Sequence, residues 1–160
     1  MSTSQHAVPP AMLEQIGDMT VCFGHLEFQM QEVFKYLVDQ SAIVGAILAS
    51  PLSFRSLRDV LSSLYKERFG EDQLYLELID LLREAAETEQ QRNMITHSAW
   101  LAGHTPATIT RHKIISRQKG GFRAQFEQYS RKDLSAFNQR IKRVTGKFKD
   151  FYDKLPAKLP

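Results

Sequence analysis

The chain has 160 residues, of which 42% are hydrophobic and 24% charged, and its formal net charge is +3. This length and composition indicate one globular domain with its own core and exclude global disorder. No apolar run is long enough to span a bilayer and the first residues lack a signal-peptide core, so we expect a cytoplasmic protein with no membrane partner. The single cysteine, Cys22, excludes an internal disulfide and a cysteine-built zinc site, and we expect no metal and no cofactor.

The first predicted element is a long helix that follows a flexible N-terminal arm. Residues 1–10 lack an apolar face and end in two prolines, so we expect the arm there and a single domain over residues 11–155, with a tail at 156–160. Apolar residues then repeat at spacings of three and four, which predicts a helix from about Ala11 to Gln40. Its seam contains Ile16, Met19, Phe23, Leu26, Met30, Val33 and Leu37, and the buried face is widened by Phe28, Phe34 and Val38.

Two shorter segments lead to a second long helix. The apolar stretch AIVGAILA predicts either a brief helix or a buried connector. Ser53 is a candidate N-cap for a helix that ends at Gly70. From Glu71 to about Leu101 the chain has no proline and no glycine, and its leucines fall at helical spacing, so we expect one helix throughout.

The last third of the chain changes character twice. In residues 107–129 β-branched and aromatic residues alternate with charges around QKGG, which predicts a β-hairpin. Ser130 and Asp133 resemble a capping box that opens a closing helix, which we expect to end near Leu155. The sum predicts an all-α bundle of four to five helices with a small β-hairpin insertion.

The stretch RNMITH near the end of the second long helix carries groups that suit RNA cleavage. Asn93 and His97 are four residues apart and therefore lie one above the other on a helix, and Arg92 precedes Asn93. A guanidinium can hold phosphate oxygens with two donors, and an imidazole can exchange a proton near neutral pH. These residues predict a catalytic site in which His97 is the general acid or base, Arg92 stabilises charge at phosphorus and Asn93 orients the phosphate.

Arg92, Asn93 and His97 also match the R-x4-6-H motif, and the chain resembles the HEPN superfamily in this motif and in the order of its helices. The resemblance implies a HEPN-like helical fold and a homodimer in which two copies of the motif form one composite site. It further implies a metal-independent endoribonuclease of the kind found in toxin-antitoxin, antiviral or RNA-processing systems, with a cognate antitoxin protein as a possible partner. The predicted hairpin is an insertion relative to the common HEPN core.

Positive charge is concentrated in the part of the chain that follows the motif. Residues 107–160 carry 14 Lys and Arg against 4 Asp and Glu, whereas residues 1–106 carry 7 against 14. Such a segment is typical of a surface that binds phosphate backbones or an acidic partner, and the acidic stretch from Glu71 to Glu89 offers a balancing surface within the fold. We expect RNA to contact five hairpin cations, with stacking on Phe122 and Phe126: Arg111, Lys113, Arg117, Lys119 and Arg123.

Other interpretations of the same residues remain open. Glu89 lies three residues before Arg92, so the two can form a surface ion pair, and His97 can stack beside Trp100 or cap the helix. In that case the chain is a non-catalytic HEPN-like helical module that binds a protein partner or RNA. A regulatory nucleotide-binding module is a third possibility. His104 and His112 have no neighbouring cysteine or carboxylate pattern, so we expect them to be solvent-exposed rather than metal ligands.

Overall fold

The computed structural model describes residues 8–117 and 121–156, which group into two compact units. One unit takes the described chain up to Val21 together with Gln91–Gln139, and the other takes Cys22–Gln90 together with the chain from Arg140 onward. The described residues are mostly helical, as predicted, with one small antiparallel sheet. The elements are α1 (Pro10–Val38), α2 (Ala42–Ala49), α3 (Phe54–Phe69), α4 (Gln73–Thr96), β1 (Ala99–Ala102), β2 (Thr108–Arg117), β3 (Gly121–Ser130) and α5 (Arg131–Asp153).

None of the helices in the described part of the chain combines the length and the apolar content that crossing a lipid bilayer requires. The predicted arm and tail fall largely outside the described residues. The part of the arm that is described includes Val8, which is buried, and α1 begins at Pro10, close to the predicted start.

The unit that contains Cys22–Gln90 is built on the predicted apolar seam of α1. Every seam residue from Phe23 to Leu37 is buried, and Cys22 packs beside them as a small apolar side chain. Phe28 was expected to widen this buried face, and that prediction was wrong because its side chain is 51% exposed. The Nζ of Lys35 instead lies 5.5 Å from the centre of its ring. The periodicity therefore predicted the seam correctly but overestimated its width.

Helix α2 is the segment AIVGAILA, and it packs through its small residues. Gly45 and Ala49 are buried, and a Cβ on Gly45 would lie 2.9 Å from the Cγ of Lys35, so a larger residue there would force Lys35 to shift. The large residues face outward, since Ile43 is 73% and Ile47 63% exposed. The segment is thus a helix, as one of the two predictions had it, but it is not buried.

In the same unit, the cations of α5 pair with the acidic stretch of α4. Each pair joins a long basic side chain to a glutamate across the two helices, so this part of the basic segment is balanced within the fold, as one interpretation of the sequence expected. The three N···O distances are 2.6 Å for Arg140 and Glu87, 2.7 Å for Lys147 and Glu84, and 2.6 Å for Lys154 and Glu77.

The predicted hairpin is present, and it belongs to a sheet with a third strand. β2 pairs with β3 antiparallel from Thr108 opposite Ser130 to Arg117 opposite Gly121. β1 pairs antiparallel with the other side of β2, which gives the order β1-β2-β3. The helix was predicted to continue to about Leu101, and this was wrong, because α4 ends at Thr96 and the chain then turns into β1. Gly103 follows, where an added Cβ would lie 2.2 Å from the Thr108 carbonyl oxygen.

The predicted capping box at the start of α5 is confirmed. The backbone N–H and the hydroxyl of Ser130 donate to the Asp133 carboxylate at 2.8 and 2.7 Å, and the Asp133 N–H donates back to the Ser130 hydroxyl oxygen at 3.2 Å. These hydrogen bonds hold the pKa of Asp133 below its ordinary value of 3.8. The carboxylate therefore contributes stability that is present above that value and is lost as the pH falls through the lower folded-state pKa.

We expect Ser130→Ala to lower the free energy of unfolding by about 1 kcal/mol at neutral pH, because the first turn of α5 loses its acceptor and Asp133 loses a donor. Ser130→Asn, which keeps an N-cap acceptor, is the matched control and should cost only a small part of that amount. Urea unfolding followed by circular dichroism measures both, and equal losses in the two variants would show that the cap does not stabilise the helix.

Candidate active site

The predicted catalytic residues lie at the point where α4 ends. Arg92 and Asn93 are half-buried in the last turns of the helix, and His97 is exposed as the first residue after it. The His97 N–H donates to the Asn93 carbonyl at 3.0 Å, so the helical hydrogen-bond pattern continues through the histidine. Asn93 and His97 are therefore one turn apart as predicted, while Arg92 lies about 140° around the axis from His97.

Two residues beyond the motif cap the helix. The last carbonyl groups of a helix lack partners within it and need donors from elsewhere. The Ser98 hydroxyl donates to the Met94 carbonyl at 2.5 Å, and the indole N–H of Trp100 donates to the Ile95 carbonyl at 3.1 Å. These carbonyls therefore have donors other than the His97 imidazole. The side chain of His97 is exposed to solvent, where it can contact a ligand.

An ion pair between a buried arginine and a partly exposed glutamate on the sheet supports the same helix end. Arg111 is 2% exposed, and its Nε and Nη2 atoms contact the two carboxylate oxygens of Glu127 at 3.1 and 2.9 Å. Its Nη1 donates to the Ser98 hydroxyl oxygen at 3.3 Å. The guanidinium therefore links the hydroxyl of the capping serine to the Glu127 carboxylate on β3.

Tyr129 completes this support on β3. Its hydroxyl donates to the Glu127 carboxylate at 3.2 Å, and its ring meets the Trp100 ring edge-on at 5.4 Å between centres. Burial, together with the negative charge of Glu127, raises the pKa of the Tyr129 hydroxyl above its ordinary value of 10.0. Tyr129 therefore stays protonated near neutral pH and remains a donor.

The predicted RNA-binding residues have different environments. Arg111 was expected to be a surface contact for RNA, and the structure corrects this, because its guanidinium is enclosed and already holds Glu127. Lys113 is half-buried and Arg123 is exposed. The Cα of Arg117 lies opposite Gly121 at the end of the β2 and β3 pairing, and Lys119 lies outside the described residues.

The register separates the basic residues from the aromatic residue that was predicted to help them. Residues that are directly opposite in an antiparallel pair share one face of the sheet. Lys113 pairs with Gln125 and Arg111 with Glu127, whereas Phe126 pairs with His112 on the opposite face. The rings of Phe126 and His112 stack at 4.7 Å between centres. The basic side chains and the stacked ring of Phe126 therefore lie on different faces of the sheet. The alternation of residue types along the two strands is consistent with this separation.

The arrangement can perform proton transfer and hold an anion. An exposed imidazole can accept a proton from a hydroxyl or return one to a leaving oxygen, and an adjacent amide can orient a phosphate. In the described part of the chain, no three His, Cys, Asp or Glu side chains gather in positions that could hold a metal ion. An ion pair between Glu89 and Arg92 stays a prediction.

Sequence reasoning missed Ser98, Arg111, Glu127 and Tyr129 as the support of this site. The only signal that was available is the residue type, since a serine hydroxyl readily bonds nearby backbone groups and a glutamate within a basic hairpin points to a cationic partner. Comparison of the chain with protein-family models, with curated proteins and with solved structures finds no significant match.

Proposed function

We propose that the protein is a metal-independent endoribonuclease of the HEPN type. The observation that carries the proposal is the exposed His97 imidazole, one turn from Asn93, which the half-buried Arg92 directly precedes, at a helix end that Ser98 and Trp100 already cap. The carbonyls of Met94 and Ile95 already accept hydrogen bonds from Ser98 and Trp100, so His97 is not needed to cap them. The motif's order and spacing, R-N-x-x-x-H, add the resemblance to HEPN domains.

The proposed reaction uses the hydroxyl that distinguishes RNA from DNA. A histidine accepts the proton of the ribose 2′-hydroxyl, and the 2′-oxygen attacks the neighbouring phosphorus. The bond from phosphorus to the 5′-oxygen breaks, and that oxygen leaves with a proton from a protonated histidine. Arg92 stabilises the negative charge on the non-bridging oxygens, and Asn93 orients them. The products are a 2′,3′-cyclic phosphate and a 5′-hydroxyl.

The reaction needs one base and one acid, and a homodimer supplies a histidine for each role. We therefore propose that two copies of Arg92 and His97 meet in one composite site, as in the superfamily that the motif resembles. RNA is held by basic surface around the site, as the excess of Lys and Arg in residues 107–160 suggests. We place the activity in the cytoplasm, as a toxin or defence component that a cognate antitoxin protein restrains.

The test is cleavage of single-stranded RNA in the presence of EDTA. We expect fragments that end in a 2′,3′-cyclic phosphate, and we expect a 2′-deoxy substitution at the cleaved nucleotide to block that cut while neighbouring cuts continue. The same RNA incubated without protein controls for spontaneous hydrolysis. Cleavage that requires added metal, or that proceeds at the deoxy position, contradicts the proposal.

A second candidate function is favoured by the outward face of α2. Ile43 and Ile47 are more than half exposed, and exposed contiguous apolar residues often mark protein contacts. The chain would then be a non-catalytic HEPN-like module that binds a protein partner. Intact RNA after long incubation with the protein, together with a stable complex that Ile47→Asp abolishes, would favour this function over the ribonuclease.

A further inference from the structure

We propose that β3 pairs antiparallel with the β3 strand of a second copy of this chain, about a two-fold axis at Gln125. Among the described strands, β3 has a neighbour on one side only, because the order is β1-β2-β3. Its other side presents backbone N–H and C=O groups that can extend the sheet. The inference goes beyond the proposed function and does not rest on it.

The edge lacks most of the devices that usually prevent such pairing. Proteins protect an edge strand with proline, charged side chains (lysine above all), bulges or a very short strand. The charges on β3 are Arg123 and Glu127, which are opposite in sign. β3 is ten residues long, with the sequence GFRAQFEQYS, and contains neither proline nor lysine. Its pairing with β2 runs without a skipped residue from Thr108 opposite Ser130 to Arg117 opposite Gly121, so no bulge interrupts it. The strand is therefore regular enough to act as a template along its length.

The charges on β3 are complementary to a second copy of themselves. In a two-fold antiparallel pair centred on Gln125, each residue faces the one at equal distance on the other side of the centre. Arg123 therefore faces Glu127 of the second copy, and the symmetry repeats this contact. Arg123 is exposed and Glu127 is 47% exposed, so both can reach across the edge. An ionised carboxylate has about four acceptor sites, one more than the three that Arg111 and Tyr129 use.

The opposite face of the same pairing is apolar. Phe126 faces Ala124 of the second copy, on the side of the sheet away from Arg123 and Glu127. The Phe126 side chain is 62% exposed although its ring stacks on His112 from the neighbouring strand. Pairing would cover this ring. Opposite charges on one face and apolar contact on the other are both favourable for cross-strand pairs, which identifies the partner as a second copy rather than an unrelated strand.

This contact differs from the one that a composite catalytic site needs. Ala99, His112 and Phe126 lie in one row across the sheet, and neighbouring strands are about 4.8 Å apart. The two copies of Ala99, each just after the motif, would thus lie about 25 Å apart in the β3 dimer. They cannot share one phosphate at that distance. A chain that also pairs motif to motif would form an assembly of more than two chains.

A cysteine at the axis tests the pairing directly. In Gln125→Cys the two Cα atoms would be about 4.5 to 5.5 Å apart, which suits a disulfide. We expect mild oxidation to give a covalent dimer on a non-reducing gel. Lys113→Cys is the matched control, because Lys113 lies opposite Gln125 on the same face but one strand further from the axis. Its two copies would be about 14 Å apart, too far to bond. The native chain controls for the buried Cys22.

A charge reversal provides a second measurement that does not depend on oxidation. Arg123→Glu places like charges opposite each other twice in the β3 pairing. We expect the dissociation constant of that pairing to rise about tenfold or more in sedimentation experiments without RNA. Lys113→Glu is the control for the change in net charge. Equal cross-linking of the two cysteine variants, or no effect of Arg123→Glu, would overturn the pairing. Neither result bears on RNA cleavage, which is measured separately in EDTA.

Discussion

His97→Ala should lower the rate of RNA cleavage in EDTA by about 100-fold or more, because the reaction loses the group that moves the proton. The fold should be unaffected, since the side chain is exposed and the helix end is capped by Ser98 and Trp100. Single-turnover cleavage of a labelled RNA measures the rate, and thermal unfolding measures the stability of the same preparations.

The matched control for this variant is His104→Ala. His104 is also exposed, lies in the connection between β1 and β2, and has no role in the proposed reaction. Arg92→Lys, which keeps the charge but loses the two-donor geometry, should also lower the rate. If His97→Ala and His104→Ala cleave RNA equally well, the histidine of the motif is not catalytic and the non-catalytic module becomes the better account.

Glu127→Ala should lower the free energy of unfolding by about 2 to 3 kcal/mol, because it leaves the guanidinium of Arg111 buried without its carboxylate. The full cost of an unpaired buried charge is reduced here, since Glu127 is partly exposed and water can take its place. Urea unfolding measures the loss. It should be repeated at two protein concentrations, because any association through β3 adds to the apparent stability.

The double variant Arg111→Met with Glu127→Ala distinguishes the ion pair from general packing. Methionine fills a similar volume without a charge, so the double variant should recover most of the stability that Glu127→Ala loses. Both variants lose the contact that Tyr129 makes with Glu127, so that loss cancels in the comparison. Equal stability of the single and double variants would show that the buried charge is not what makes Glu127 necessary.

The helices were predictable because their signals are local. The seam of α1, the Ser53 cap of α3 and the capping box of α5 are each set by residues within a few positions of one another. The same holds for the end of α3, where Gly70 has a positive φ of 79°. Periodicity and capping therefore gave these elements without any knowledge of what packs against them.

Strand β1 was not predictable in the same way. The chain has neither glycine nor proline between Gln73 and Leu101, so no local signal ends the helix at Thr96. The end depends on hydrogen bonds from Ser98 and Trp100 and on pairing with β2, whose residues lie about ten positions further along. Such pairing is decided by tertiary structure and overrides helical propensity.

The spacing of the candidate residues along the helix was predictable from the sequence, but the environment of the surrounding residues was not. The spacing of Asn93 and His97 gave their position one turn apart, whereas burial decided the outcome for Arg111. A basic residue in a hairpin is expected to be a surface cation unless its partner is known. The partner here, Glu127, lies sixteen residues further along the chain, so the sequence near Arg111 does not indicate it. The exposure of the large residues of α2 could not be predicted for a similar reason, because it is the small residues Gly45 and Ala49 that pack against the rest of the protein.

The position of His97 between a helix and a strand has an entropic consequence for any ligand that uses its ring. Fixing the backbone of one residue costs about 1 to 2 kcal/mol, so a catalytic group on a loose loop must recover that amount on every binding event. Here the hydrogen bond to Asn93 on one side and the start of β1 on the other have already restricted the main chain. A ligand needs to freeze only the two torsions of the imidazole side chain.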